Sequence, residues 1–143
     1  MSRQECFSNC PSKLSFPLYV ERDPGQPLPK DLYERSRMVR RQCSALCSAV
    51  FPDLVDHLHF CYFRSIVQGF WDPTSSSVYV NLHHGPGLRN PRELYLLLCH
   101  ELTHVSGVPD HGRQFAKAQA ALILDHSDAF MRVQPRLLGM ESV

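Results

Sequence analysis

The hydrophobic positions of this chain change period several times. Between residues 32 and 50 they fall at 32, 39, 43, 46, 47 and 50, steps of three, four and seven that predict an amphipathic helix. Pro29 and Asp31 make a plausible start for it and Pro52 a stop. Two short runs follow, HLHFCYFRS (57–65) and IVQGFWD (66–72), both rich in aromatic and β-branched residues. They read as strands, WDPTSSS as a turn, and SVYVNL (77–82) as a third strand. After the loop HHGPGLRNP comes RELYLLLCHELTHV, apolar almost all round, so this helix is expected to run through the core. Asn90 is its natural cap, Pro91 occupies its first turn, and Gly107 and Pro109 end it. A last helix, RQFAKAQAALILDHSDAF, offers Phe115, Ala118, Ala121, Leu122 and Leu124 for packing.

The order predicts an α+β fold: an N-terminal helix, a three-stranded antiparallel or mixed sheet, a buried helix and a C-terminal helix. Residues 30–130 form the single domain. Residues 1–29 hold five of the eleven prolines, including DPGQPLP, and read as an irregular arm. Residues 131–143 read as a tail. No internal repeat is present.

Composition narrows the classes. A chain of 143 residues, 43% apolar and 20% charged, has the size and content of one globular domain. A net charge of +1 supplies no global field for nucleic acid or anionic membrane. No apolar run reaches the length of a membrane span or a signal peptide, so an intracellular protein, cytoplasmic or nuclear, with no membrane partner is expected. The six cysteines, at 6, 10, 43, 47, 61 and 99, form no C-x-x-C pair, which excludes a zinc ribbon. Free thiols are expected, with Cys43 and Cys47 packing as small apolar residues one helical turn apart. Lys30, Arg35, Arg37, Arg40 and Arg41 read as a solvated helix face, because no aromatic residues interleave them.

The candidate chemistry lies in HELTHVSGVPDHG. Residues four apart on a helix share a face, so His100 and His104 can direct both imidazoles at one ion. Glu101 falls beside them, where a carboxylate can take a proton from water and later return it to a leaving amine. Burying two histidines and a glutamate in so apolar a helix is costly without a partner. The next potential ligands are Asp110 and His111. Three protein ligands and one open position would make a catalytic zinc site. The remaining histidines, at 57, 59, 83, 84 and 126, read as structural, and Cys99 as core. Tyr62 or Tyr79 could stabilise an oxyanion, and spacing selects neither.

The segment HELTHVSGVPDHGRQF resembles the active-site stretch of zincin metallopeptidases, closest to the SprT-like and WLM groups, in which a histidine in an HGxxF element opens the next helix. His111, Gly112 and Phe115 match that element. The preceding layout is similar to a minimal zincin core, which implies that 77–82 is the edge strand of a substrate cleft. Read as HExxHxxGxxD, the same residues resemble snapalysin-type metzincins, with Gly107 at the turn and Asp110 as ligand. Met131 and Met140 do not sit in the methionine turn that such proteins require. His111, the more usual zinc donor, therefore has the better claim, with Asp110 orienting a histidine.

The resemblance implies one Zn²⁺ per chain, Glu101 as general base and then acid, and a protein or peptide substrate paired along 77–82. Extended to role, it implies DNA-associated proteins as targets. The rival expectation is a catalytically inactive, zinc-stabilised binding or scaffold module, for which Glu101 would have no use.

Overall fold

The hydrophobic stripe starting at Leu32 becomes a helix, α1 (Leu32–Val50), in the computed structural model, which describes residues 7–9, 16–21, 28–84, 90–105 and 111–140. Leu32, Val39, Cys43, Leu46, Cys47 and Val50 are its buried side, as the periodicity predicts. Asp31 precedes the helix without capping it. Its carboxylate instead accepts two 3.0 Å bonds from Arg35. The other arm of the Arg35 guanidinium donates to Leu82 O (3.1 Å), tying α1 to the chain that follows the sheet.

Among the described residues the sheet has five strands rather than three. In chain order they are β1 (Phe7–Asn9), β2 (Leu18–Glu21), β3 (Leu58–Tyr62), β4 (Gly69–Asp72) and β5 (Ser77–Asn81), arranged in space as β1-β2-β3-β5-β4. β2, β3 and β5 are parallel neighbours, while β1 and β4 run antiparallel at the two edges. Two strands thus come from the stretch that reads as an irregular arm. Each is only three or four residues long, and β2 pairs with a strand some forty residues away, so local pattern carries no trace of them.

The edge assignment also changes. β5 lies between β3 and β4, hydrogen-bonded on both sides, and all five of its residues are buried. Of the strands expected from sequence, β4 is the one at an edge. The β4–β5 turn is closed by Asp72, which accepts from the Thr74 N–H (3.1 Å) and the Ser75 hydroxyl (2.8 Å).

Three further α-helices follow among the described residues: α2 (Pro91–Val105), α3 (Arg113–Asp125) and α4 (Ser127–Met140). Asn90 caps α2 through its side chain, which accepts from the Arg92 N–H (2.9 Å). α3 ends at His126, whose N–H bonds back to Leu122 O, so the expected third helix is divided in two. The expected tail is mostly α4. Pro135 lies within it, and Phe130, Val133 and Leu137 at helical spacing bury the inner side. Burying those three side chains offsets the roughly 3 kcal/mol that an interior proline costs.

One core lies between the sheet and the helices. Leu18, Val20, Phe60, Tyr62, Val78 and Val80 meet residues of α1, α2 and α4 there. A second cluster, Cys61, Phe63 and Tyr79 with Tyr19 and Phe70, lies apart from it. Cys43, Cys47, Cys61 and Cys99 are all buried free thiols. Among the described residues, no helix is long and apolar enough to cross a membrane.

Candidate metal centre

α2 carries two different faces. Leu94, Leu98 and Cys99 point into the core, and the Tyr95 hydroxyl donates to Ile123 O (2.7 Å), which fixes α2 against α3. The other face presents Glu93, Leu96, Leu97, His100, Glu101 and His104 to a groove of about 890 Å³. These steps of three and one keep all six on one stripe.

His111, at the entrance to α3, brings the third imidazole. The ligand nitrogens of His100, His104 and His111 all lie within 4.8 Å of one another, and His104 Nε2 and His111 Nε2 are 3.1 Å apart. Two nitrogens bound to one tetrahedral ion at the usual zinc distance stand about 3.4 Å apart. The donor set therefore fits a divalent ion that prefers imidazole, with small ring rotations to close the widest gap. Phe115, in the first turn of α3, packs against all three rings at centroid distances of 4.7–4.8 Å. The HGRQF element thus supplies both a donor and the apolar floor that limits where the donors can turn. Asp110 lies outside the described residues, as does the side chain of His84.

Burial, with the neighbouring His104 and His111, lowers the pKa of His100, while a hydrogen bond to Gln119 of α3 opposes that shift. The neutral imidazole so favoured is the metal-binding form. Glu101 is only 4% exposed, and burial pushes its carboxyl up to about 7. A carboxyl poised there can accept or release a proton near neutral pH.

The wall opposite α2 is β4 with the segment before it. Ile66, Val67, Gln68, Gly69, Phe70, Trp71 and Pro73 line it. Sequence reasoning missed the residue that holds this wall. Asn81, fully buried at the end of β5, donates to Phe63 O (3.0 Å) and Val67 O (2.8 Å) and accepts from the N–H groups of Phe63 and His83 (3.2 and 3.1 Å). The only available signal is an amide ending an otherwise apolar strand, SVYVN.

The remaining histidines whose side chains are described do not line the groove. His59 packs on Tyr79, His83 on Tyr62, and His126 on Phe51 with its Nδ1 against Leu122 O, while His57 is exposed. Tyr62 and Tyr79 are both buried away from the groove lining, so neither can reach an oxyanion formed there. Cys99 is core, as expected.

No family model, no curated protein and no solved structure matches this chain.

Proposed function

We propose that this protein is a zinc-dependent peptidase of the zincin type, similar in its site to SprT-like and WLM proteins. The observation that carries the reading is a nearly buried carboxyl, Glu101, beside three converged imidazoles in a groove bounded by an edge strand. His100, His104 and His111 would hold the ion. Zinc, when bound, supplies the Lewis acidity that makes water a nucleophile near neutral pH. Glu101, as carboxylate, would take onto a carboxylate oxygen a proton from the water whose oxygen adds to the peptide carbonyl carbon. As the carboxylic acid it then gives the proton to the nitrogen of the leaving amine.

β4 rather than the stretch 77–82 is the strand available to align substrate. Its outer edge has no strand partner among the described residues, and an extended peptide can add to it through main-chain hydrogen bonds. From Glu93 to His104 the groove floor runs about 16 Å, the length of roughly five extended residues. Val67, Trp71, Leu96 and Leu97 make the walls largely apolar, and among the described residues the lining contains no lysine or arginine. The groove itself therefore suits unfolded polypeptide. Proteins associated with DNA are the targets that the resemblance implies.

Elemental analysis of the purified chain, joined to a cleavage assay on an unfolded protein, tests the reading. About one zinc per chain is expected in the parent and in Glu101→Gln, with cleavage in the parent alone. A folded chain that takes up no zinc sinks the proposal. Bound zinc without turnover on unfolded or DNA-associated protein favours the scaffold alternative.

A further inference from the structure

Away from the groove, a second hollow of about 510 Å³ opens between α1, α4 and the chain leading into β2. It shares no lining residue with the candidate metal centre. Arg37, Arg40 and Arg41 of α1 and Arg136 of α4 surround it, and among the described residues no carboxylate lines it. From these guanidinium groups we infer that the hollow is a binding site for a compact, multiply phosphorylated small molecule.

The charge is concentrated against the trend of the whole molecule. The chain has a net charge of +1, yet three arginines share a single turn of α1 and a fourth joins them from the neighbouring helix. Like charges three and four residues apart destabilise a helix, an effect that a bound anion reverses.

The geometry suits phosphate oxygens. Arg40 stands over the Phe16 ring, 4.7 Å from its centroid. Attraction to a ring face leaves the in-plane N–H donors of a guanidinium available, and those donors match phosphate in pairs. Ser44 and Ser48, one and two turns further along α1, add hydroxyl groups to the same wall.

Compactness of the ligand follows from the spacing. Arg37 to Arg41 covers only about 6 Å of helix axis, a short distance for three cations to match a strand's successive phosphates. A molecule carrying several phosphates on one small frame meets them together, and the volume lies within the range of small-molecule sites, roughly 300–1,000 Å³. An adjoining hollow contributes Arg132 and shares Arg136. Its other lining residues, Ala49, Ala129 and Val133, bring no side-chain donor, so it does not extend the site.

Titration calorimetry of the full chain with inositol hexakisphosphate and with tripolyphosphate tests the inference. Metal-free protein is used, so the outcome is independent of whether the chain is a peptidase. One molecule of inositol hexakisphosphate per chain is expected. Arg40→Gln/Arg136→Gln, both exposed positions, should weaken binding at least about tenfold with unchanged circular dichroism. Arg92→Gln, an exposed arginine elsewhere, should leave it unchanged. Absence of binding by either probe, or equal binding by the double variant, overturns the inference. So does a short single-stranded DNA that binds through the same arginines and is not displaced by inositol hexakisphosphate, which would make the site a nucleic-acid surface.

Discussion

His104 Nε2 and His111 Nε2 stand 3.1 Å apart although one belongs to α2 and the other to the entrance of α3. The contact joins α2 to the entrance of α3 through the two nitrogens that a shared ion would bind.

His111→Ala should therefore abolish tight metal retention, whereas Gln119→Leu, which removes only the hydrogen bond to His100, should weaken it by roughly 10–100-fold. Competition with a zinc-sensitive chelator measures both. Full retention of zinc by His111→Ala would remove that histidine from the ligand set and return Asp110 to it.

Asn81→Leu should detach the segment 63–68 from β5. The change leaves the Phe63 and Val67 carbonyls without their amide donor, and a loss of about 2–4 kcal/mol is expected in urea unfolding. Hydrogen exchange at 63–68 should rise more than exchange in α1. A uniform rise across the chain would mean that Asn81 supports the core at large rather than the groove wall.

Gly69 permits the close approach of β4 to its neighbours. A Cβ there would meet Tyr79 O at 2.7 Å and a Leu97 methyl at 3.4 Å, and the backbone oxygen cannot move aside cheaply. Gly69→Ala should cost about 1–3 kcal/mol and shift the strand that borders the groove. An unchanged unfolding midpoint would show that β4 sits further from β5 than described.

The buried thiols predict alkaline sensitivity. Burial pushes Cys47 up to about 12 and Cys99 up to about 11 from the ordinary 9.0, and raises Cys43 and Cys61 as well. In the unfolded chain these groups lose their protons above pH 9 while the folded chain keeps them. Stability should accordingly be constant with respect to these thiols below about pH 9 and fall as pH rises from there through the folded values. Urea midpoints at neutral pH and at about pH 10.5 measure the difference. In native protein at neutral pH, a thiol reagent should leave these four cysteines unmodified, and rapid modification of any of them would contradict their burial.

The helices of the site were legible because their signals are local. Asn90 and Pro91 announce the start of α2, and the HExxH spacing places two imidazoles and a carboxyl along one side of it. His111 could be favoured over Asp110 because GRQF continues directly into a helix. The sheet was less legible. SVYVNL looks the same from sequence whether it has one neighbour or two, so its central position became apparent only with β4 and β3 on either side. β1 and β2 are too short to show alternation. α4 was hidden by Pro135, whose local penalty says nothing about the burial of Val133 and Leu137. Asn81 carried little signal because its four bonds go to Phe63, Val67 and His83, the first two lying 18 and 14 residues away in sequence.

The sheet order divides the chain by how far apart its partners lie in sequence. β4 and β5 close over the short turn 73–76, and α2 and α3 are likewise successive elements, so every described residue lining the groove falls between Ile66 and Gln119. Pairing β2 with β3 requires the whole of α1 to be enclosed first. Loop-closure entropy makes the first set of contacts the faster to form. The groove and its imidazoles therefore belong to the half of the molecule that can assemble early, with β1 and β2 added to a sheet whose other end already exists.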